Sequence, residues 1–194
     1  MDVIAGLAFG LVAYSTQVCA AGFSFKIAQK IVFEIEEGKI SKPFKIVEES
    51  KASGGKVVYL KEKSNKIKKP GKEFYEGTIE FKFNVSKEAK YVVWLRKLWM
   101  DGCGNSIYMT IDKPISKDSV LVLGEDGTYD KFTWVKLNSD PLHLKKGVHT
   151  IVLQNREDGI KLDQIALIEF EKDRPKDDQY VPVTDEKPTK SLVN

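Results

Sequence analysis

The sequence predicts an all-β domain, a sandwich of two antiparallel sheets, preceded by an apolar N-terminal segment. Three observations carry the prediction. From residue 30 onward, short runs rich in Val, Ile, Phe, Tyr and Trp follow one another, as strands packed on a half-buried surface require. Between them stand Gly, Asn, Asp and Ser clusters that turn the chain. No stretch after residue 30 repeats its apolar residues at helical spacing. About nine such runs form the pattern of a β-sandwich.

Residues 1–25 differ in kind, because they contain no Lys or Arg and one acid, Asp2. Their apolar run, VIAGLAFGLVAY, is too short to cross a bilayer comfortably, and Val18-Cys19-Ala20 has the small-residue pattern of a signal-peptidase site. We expect a signal peptide and a secreted or cell-surface protein. The Met-Asp start supplies no basic n-region, so an uncleaved apolar anchor is the alternative, and it would be the chain's membrane contact.

The sandwich is expected over residues 30–170. Residues 31–36, IVFEIE, alternate, with Ile31, Phe33 and Ile35 on one face and Val32, Glu34 and Glu36 on the other, and Gly38 ends the run. Residues 44–47 are a short extended piece, and ASGG at 52–55 turns the chain into KVVYL. The basic run at 61–72, KEKSNKIKKPGK, lacks interleaved aromatics and reads as a solvated loop. TIEFKFNV at 78–85 is the cleanest amphipathic strand, with Ile79, Phe81, Phe83 and Val85 inward. Residues 91–98 and 106–112 are strands around a Gly-, Asn- and Asp-rich loop, followed by a longer irregular segment. GEDGTYD at 124–130 is a turn-rich loop leading into FTWVKL at 132–137. Leu142 and Leu144 mark a brief strand, and residues 148–155 and 164–170 close the domain, joined by REDGIK. The tail at 171–194 is charged, holds three prolines and reads as a surface strap or linker.

Composition narrows the function. A chain of 194 residues, 42% hydrophobic, supports one core. Its 31 basic and 28 acidic residues are interspersed and leave a net charge of +3, without the continuous positive face that nucleic-acid binding needs. Cys19 and Cys103 form neither a disulfide framework nor a CxxC metal pattern. A nucleophilic thiol would need His143 or His149 beside it, and His149 opens a strand, where a structural role is expected.

Read together, FEIEEG, ASGGKVVYL, FKFNVSKEAKYVVWLR, DGCGNSIYMTID, TWVKL and KKGVHTIVLQNREDGIKLDQIAL resemble, in order and spacing, carbohydrate-binding modules of families 6 and 35. The resemblance spans about residues 31–183. It implies a jelly-roll β-sandwich of two antiparallel sheets, a non-catalytic role, and two sites. The first is a structural calcium, whose family ligands fall on Glu34, Glu36 and Asp163, with carbonyls around Lys56 in reach; a hard cation suits such an oxygen set. Left to composition alone, the two glutamates read as a solvated strand face rather than as metal ligands.

The second implied site is a sugar cleft at the loop end, where an aromatic ring covers the C–H face of a pyranose and an amide meets its hydroxyls. The residues at matching positions are Trp99, Asn105, Trp134 and Asn155, with Tyr129 in a segment that varies among such modules. Packing and turn-forming roles compete with binding at each of them. Arg96 is the candidate partner for a uronate carboxylate, because a planar guanidinium binds such groups bidentately, with an ion pair on the strand face as the equal alternative. Trp94 is assigned to the core.

The resulting expectation is a secreted protein that binds plant or microbial polysaccharide, uronic-acid-containing ones included, with calcium in a structural role. One alternative is a surface-anchored scaffold that binds proteins through the sandwich. The other is a glycoside- or uronide-active enzyme using paired carboxylates such as Glu125 and Asp126, or Asp158 and Asp163.

Overall fold

The computed structural model describes residues 29–65, 73–170, 174–176, 179 and 181. The expected leader or anchor at 1–25, with Cys19, lies outside these residues, as do part of the basic loop and most of the tail.

Twelve strands among the described residues build two antiparallel sheets. They are β1 (Lys30–Glu34), β2 (Lys39–Ile40), β3 (Lys45–Glu48), β4 (Lys56–Leu60), β5 (Thr78–Val85), β6 (Ala89–Trp99), β7 (Ser106–Ile111), β8 (Leu121–Gly124), β9 (Thr133–Lys136), β10 (Leu142–Leu144), β11 (Gly147–Gln154) and β12 (Ile160–Glu169). The long pair β6 and β12 forms the spine of the larger sheet. On the far side of β12, β4 pairs with its first half and β1 with its second, and β3 lies outside β4. Along the free edge of β6, β10 and β9 pair in succession. The smaller sheet runs β2-β5-β11-β7-β8.

Alternation puts the apolar residues of both sheets between them. Ile79, Phe81, Phe83 and Val85 of β5 share one core with Ile31 and Phe33 of β1 and with Ile165 and Leu167 of β12. Phe33 stacks on Phe81 with ring centroids 5.3 Å apart, fastening one sheet to the other; burying such a ring contributes about 1.5–3 kcal/mol. A second apolar cluster sits on the outer face of the larger sheet, where Val32, Trp134, Ala166 and Ile168 pack with Trp94 and Val181.

Three readings are corrected. The run at 31–36 is not one strand: β1 stops at Glu34, where its pairing with Gln164 ends, and Ile35–Glu37 forms a 3-10 turn. Glu34 and Glu36 therefore leave different local backbones and do not share a strand face. The segment after residue 112 is not irregular to its end, because β8 pairs with β7; a four-residue edge strand is too short to show a period. Finally, β12 begins at Ile160 rather than 164. Its register slips between Leu162 and Gln164, so that Asp163 is the extra residue of a β-bulge and breaks the alternation.

Candidate functional site

Four connections meet at one end of the sandwich: residues 61–65 with 73–77, 100–105, 125–132 and 155–159. Backbone hydrogen bonds tie them together. Met100 donates to the Gly159 carbonyl at 3.3 Å, Gly159 to Leu60 at 2.9 Å, Asn155 to Gly77 at 2.9 Å, Glu125 to Asn105 at 2.8 Å, and Asp130 to Trp99 at 2.9 Å. Two loops approach so closely that a Cβ at Gly104 would fall 1.9 Å from the Asp158 carbonyl oxygen. Gly124, at φ 141°, likewise lets the chain pass against Asn105. The loop end is thus a preassembled surface.

The candidate sugar contacts divide on this frame. Tyr129 is 37% exposed, and its hydroxyl lies near Gly102, so that its ring rises beside the 100–105 loop. Asn105 is half-buried; its backbone N–H donates to Glu157 at 3.0 Å, while its side-chain amide makes no hydrogen bond among the described residues. Cys103 and Met100 are exposed on the same loop.

The other four candidates lie inside the protein. Trp99 is fully buried, and its indole N–H donates to Asp126 at 3.0 Å. It holds up the β8–β9 loop from below and has no face open to a ligand. Asn155 is 1% exposed and exchanges amide hydrogen bonds with Asn65, at 2.8 and 3.0 Å, while donating to the Glu76 carbonyl at 2.7 Å. It braces the β4–β5 connection. Trp134 points out of the opposite side of the larger sheet from the core, is covered by the C-terminal segment, and donates to the Gln179 carbonyl at 2.9 Å. Arg96 is ion-paired to Asp163, and the ring of Phe132 lies 4.9 Å from its guanidinium carbon.

One residue essential to this end was not marked by the sequence reading. Lys97 faces inward on β6 and is completely buried. Its ammonium donates to Asp126 at 2.9 Å, and to the hydroxyl and carbonyl of Thr128 at 2.6 and 3.2 Å. Burial pushes the Asp126 carboxyl up, but hydrogen bonds from Lys97 and Thr128 outweigh it and leave the group below its ordinary range. The signal was present in the alternation Tyr91, Val93, Leu95, Lys97, Trp99, where a cation occupies a core position.

Glu34, Glu36 and Asp163 do come together. Ser53 links two of them, donating through its backbone N–H to Asp163 at 2.9 Å and through its hydroxyl to Glu34 at 2.7 Å. Gln164 donates to the same Glu34 oxygen at 2.8 Å. The remaining oxygens, Glu34 Oε2 and Glu36 Oε2, are buried without a hydrogen-bond partner, which costs roughly 1–3 kcal/mol each and more for a charged group. Burial, with the charges of Glu34, Asp163 and Glu37 adding to it, pushes Glu36 up to about 7. Burial likewise takes Asp163 to about 6 despite the Arg96 guanidinium beside it. Among the described residues no three acidic, histidine or cysteine side chains are arranged to hold a metal ion. The donor chemistry nevertheless suits a hard cation: all donors are oxygens, and two of them lack partners.

No family model matches the sequence, and no curated protein matches it. Solved structures do resemble the fold. The Podospora anserina GH26-CBM35 β-(1,4)-mannanase matches at 17% identity over 75% of this chain and 28% of its own, with TM-score 0.55. The Phanerochaete chrysosporium exo-β-1,3-galactanase, solved with β-1,3-galactotriose, matches at 19% over 73% of this chain and 30% of its own, with TM-score 0.53. A family 35 carbohydrate-binding module from Clostridium thermocellum matches at 15% over 72% of this chain and 98% of its own, with TM-score 0.51. The chain spans less than a third of each enzyme and nearly all of the isolated module. The shared feature is the fold, the jelly-roll sandwich of family 35 modules.

Proposed function

We propose that the chain is a secreted, non-catalytic carbohydrate-binding protein that meets plant or microbial polysaccharide, uronic-acid-containing polymers among them, at the loop end and carries a structural calcium. The observation that carries the reading is the pairing of an open ring, Tyr129, with an uncommitted amide, Asn105, on loops locked to one another by backbone hydrogen bonds. A ring that stacks on C–H groups beside a donor and acceptor is what recognition of a pyranose needs. Likeness to an isolated family 35 module over nearly its whole length supports the same reading.

The acids considered for catalysis have other work. Asp126 holds Lys97 and Trp99, Glu125 pairs with Arg156, Asp158 accepts from the Asn65 backbone and Asp163 holds Arg96. Glu34, Glu36 and Asp163 would hold the calcium, which when bound supplies positive charge to oxygens otherwise buried in mutual repulsion.

Affinity electrophoresis through gels containing neutral and acidic polysaccharides tests the binding role. The wild type should be retarded by at least one polymer, and Tyr129→Ala and Asn105→Ala should each weaken that retardation about tenfold, the scale of one lost stacking or hydrogen-bonding contact. Migration unaffected by every polymer, or retardation unchanged in both variants, would contradict the proposal.

A further inference from the structure

The end of the sandwich opposite the sugar-candidate loops is built from the start of β1, the end of β12 and two turns, residues 86–88 and 145–146. Strand β6 runs from this end, at Ala89, to Trp99 beneath the loops. Pairing of Leu144 with Ala89 and of Gly147 with Val85 sets the two turns side by side. Gln29 is fastened here: its carbonyl accepts from the Glu169 N–H at 3.1 Å, and its side-chain oxygen from the Tyr91 hydroxyl at 2.6 Å. The surface is basic. Five cations, Lys30, Lys87, Lys90, Lys145 and Lys146, stand against two carboxylates, Glu88 and Glu169, while Asp112 and Lys113 on the neighbouring loop cancel. Both carboxylates are engaged, Glu169 by Lys87 at 2.7 Å and Glu88 by His143 at 2.9 Å. The other four lysines are exposed and close no ion pair among the described residues. Two apolar side chains accompany them. Val148, at 69%, is the most exposed large apolar side chain among the described residues; Phe170, at 43%, follows β12, and its N–H donates to the Lys90 carbonyl at 2.8 Å.

We infer that this end is a contact surface for an anionic lipid bilayer, with the lysines against headgroup phosphates and Val148 and Phe170 in the interface. Two observations select a membrane over a soluble polyanion. Exposed apolar side chains give a polyanion nothing to meet, whereas the boundary between headgroups and acyl chains accepts them beside cations. Residues 1–28, which hold the apolar run VIAGLAFGLVAY, also join the domain at this end, through Gln29. Each lysine close to an anionic surface strengthens attachment about fivefold, and salt screens the effect. In this orientation Tyr129 and Asn105 lie at the far end from the lipid, toward whatever polymer is outside. The inference stands on the lysine end alone and does not require the sugar reading.

Co-sedimentation of the full chain with vesicles of phosphatidylcholine alone, and of phosphatidylcholine and phosphatidylglycerol in equal parts, tests this. The anionic vesicles should take up the protein at least about a hundredfold more strongly, and about 1 M salt should remove that excess. Lys90→Gln combined with Lys145→Gln should cut the excess at least about tenfold. The same charge loss near the loop end, Lys45→Gln with Lys131→Gln, should leave it unchanged. Phe170→Ser should weaken uptake about threefold or more. An apolar segment retained at residues 1–25 raises uptake by both kinds of vesicle alike and leaves these ratios intact. Equal uptake by the two vesicles, an excess undiminished in the Lys90 and Lys145 variant, or equal losses in the two double variants would overturn the inference. So would unchanged uptake of Phe170→Ser together with equally tight binding of polyphosphate, which would assign the lysines to a soluble polyanion.

Discussion

Lys97 occupies a position where alternation on β6 calls for an apolar side chain, and the protein tolerates it because Asp126 and Thr128 satisfy the ammonium. The pair is asymmetric, since Lys97 is fully buried and Asp126 reaches solvent. Removing Asp126 strands a charge in the core, whereas removing Lys97 leaves a carboxylate that can rehydrate. Asp126→Ala should therefore cost about 3–5 kcal/mol, and Lys97→Met distinctly less; urea denaturation of the two variants measures the difference, and equal losses would refute the asymmetry. His149 gives a pH signature of its own. Burial pulls its pKa down, but the Asp112 carboxylate and the Lys145 carbonyl win and leave it above the ordinary 6.5. The stabilisation is complete below that ordinary value and is lost as pH rises through the raised one. Denaturation midpoints should fall across that window in the wild type and stay flatter in His149→Gln; parallel profiles would remove His149 from the account. At this scale the sequence was legible for charge and turn chemistry but not for exposure. Trp99 and Trp134 were the conspicuous rings, yet Trp99 continues the inward alternation of Tyr91, Val93 and Leu95, and the ring exposed at the loop end is Tyr129, in a loop without periodicity.

Among the elements, β12 does most to arrange chemistry. Its bulge places Asp163 as an extra residue beside Arg96 and the Ser53 turn, while Gln164, the next residue, reads the C-terminal segment. The Gln164 amide accepts from the Val181 N–H at 2.9 Å and donates to its carbonyl at 2.9 Å, so one side chain pairs with an extended backbone as a strand would. Val181 and the Gln179 carbonyl close the outer cluster around Trp134. A chain shortened to end at residue 170 should lose about 2 kcal/mol, the scale of one buried aliphatic side chain with its hydrogen bonds, and its tryptophan emission should shift to the red. Unchanged stability and emission would show that the strap contributes nothing. The tail was readable as a strap from charge and prolines, whereas the face it covers was not. The apolar outer residues Val32, Trp94 and Trp134 sit where alternation normally puts polar groups.

At the scale of the whole molecule, the all-β sandwich was legible because strand alternation and turn residues agree along the chain. What escaped was local: the 3-10 turn after Glu34, the short β8 and the bulge at Asp163 each break a period that sequence reading depends on. The carboxylate group ties these local features to overall stability. Glu36 rises from 4.5 to about 7, so without a cation the fold loses stability as pH climbs through that interval, the unfolded chain ionising more readily than the folded one. Calcium at a hundred times its dissociation constant should restore about 2.7 kcal/mol at pH 8. Glu36→Gln should stabilise the chelated protein at that pH and remove the response to calcium. Thermal melting with calcium or chelator checks both, and a wild-type midpoint indifferent to calcium would end the structural-calcium proposal.

Recognition of sugar by the preassembled loop end can be followed through backbone amide resonances of labelled protein during titration with an oligosaccharide of whichever polymer retards it. Shifts should concentrate in residues 100–105 and 125–132, around Asn105 and Tyr129. Shifts confined to the smaller sheet, or to the outer face under the C-terminal segment, would contradict it.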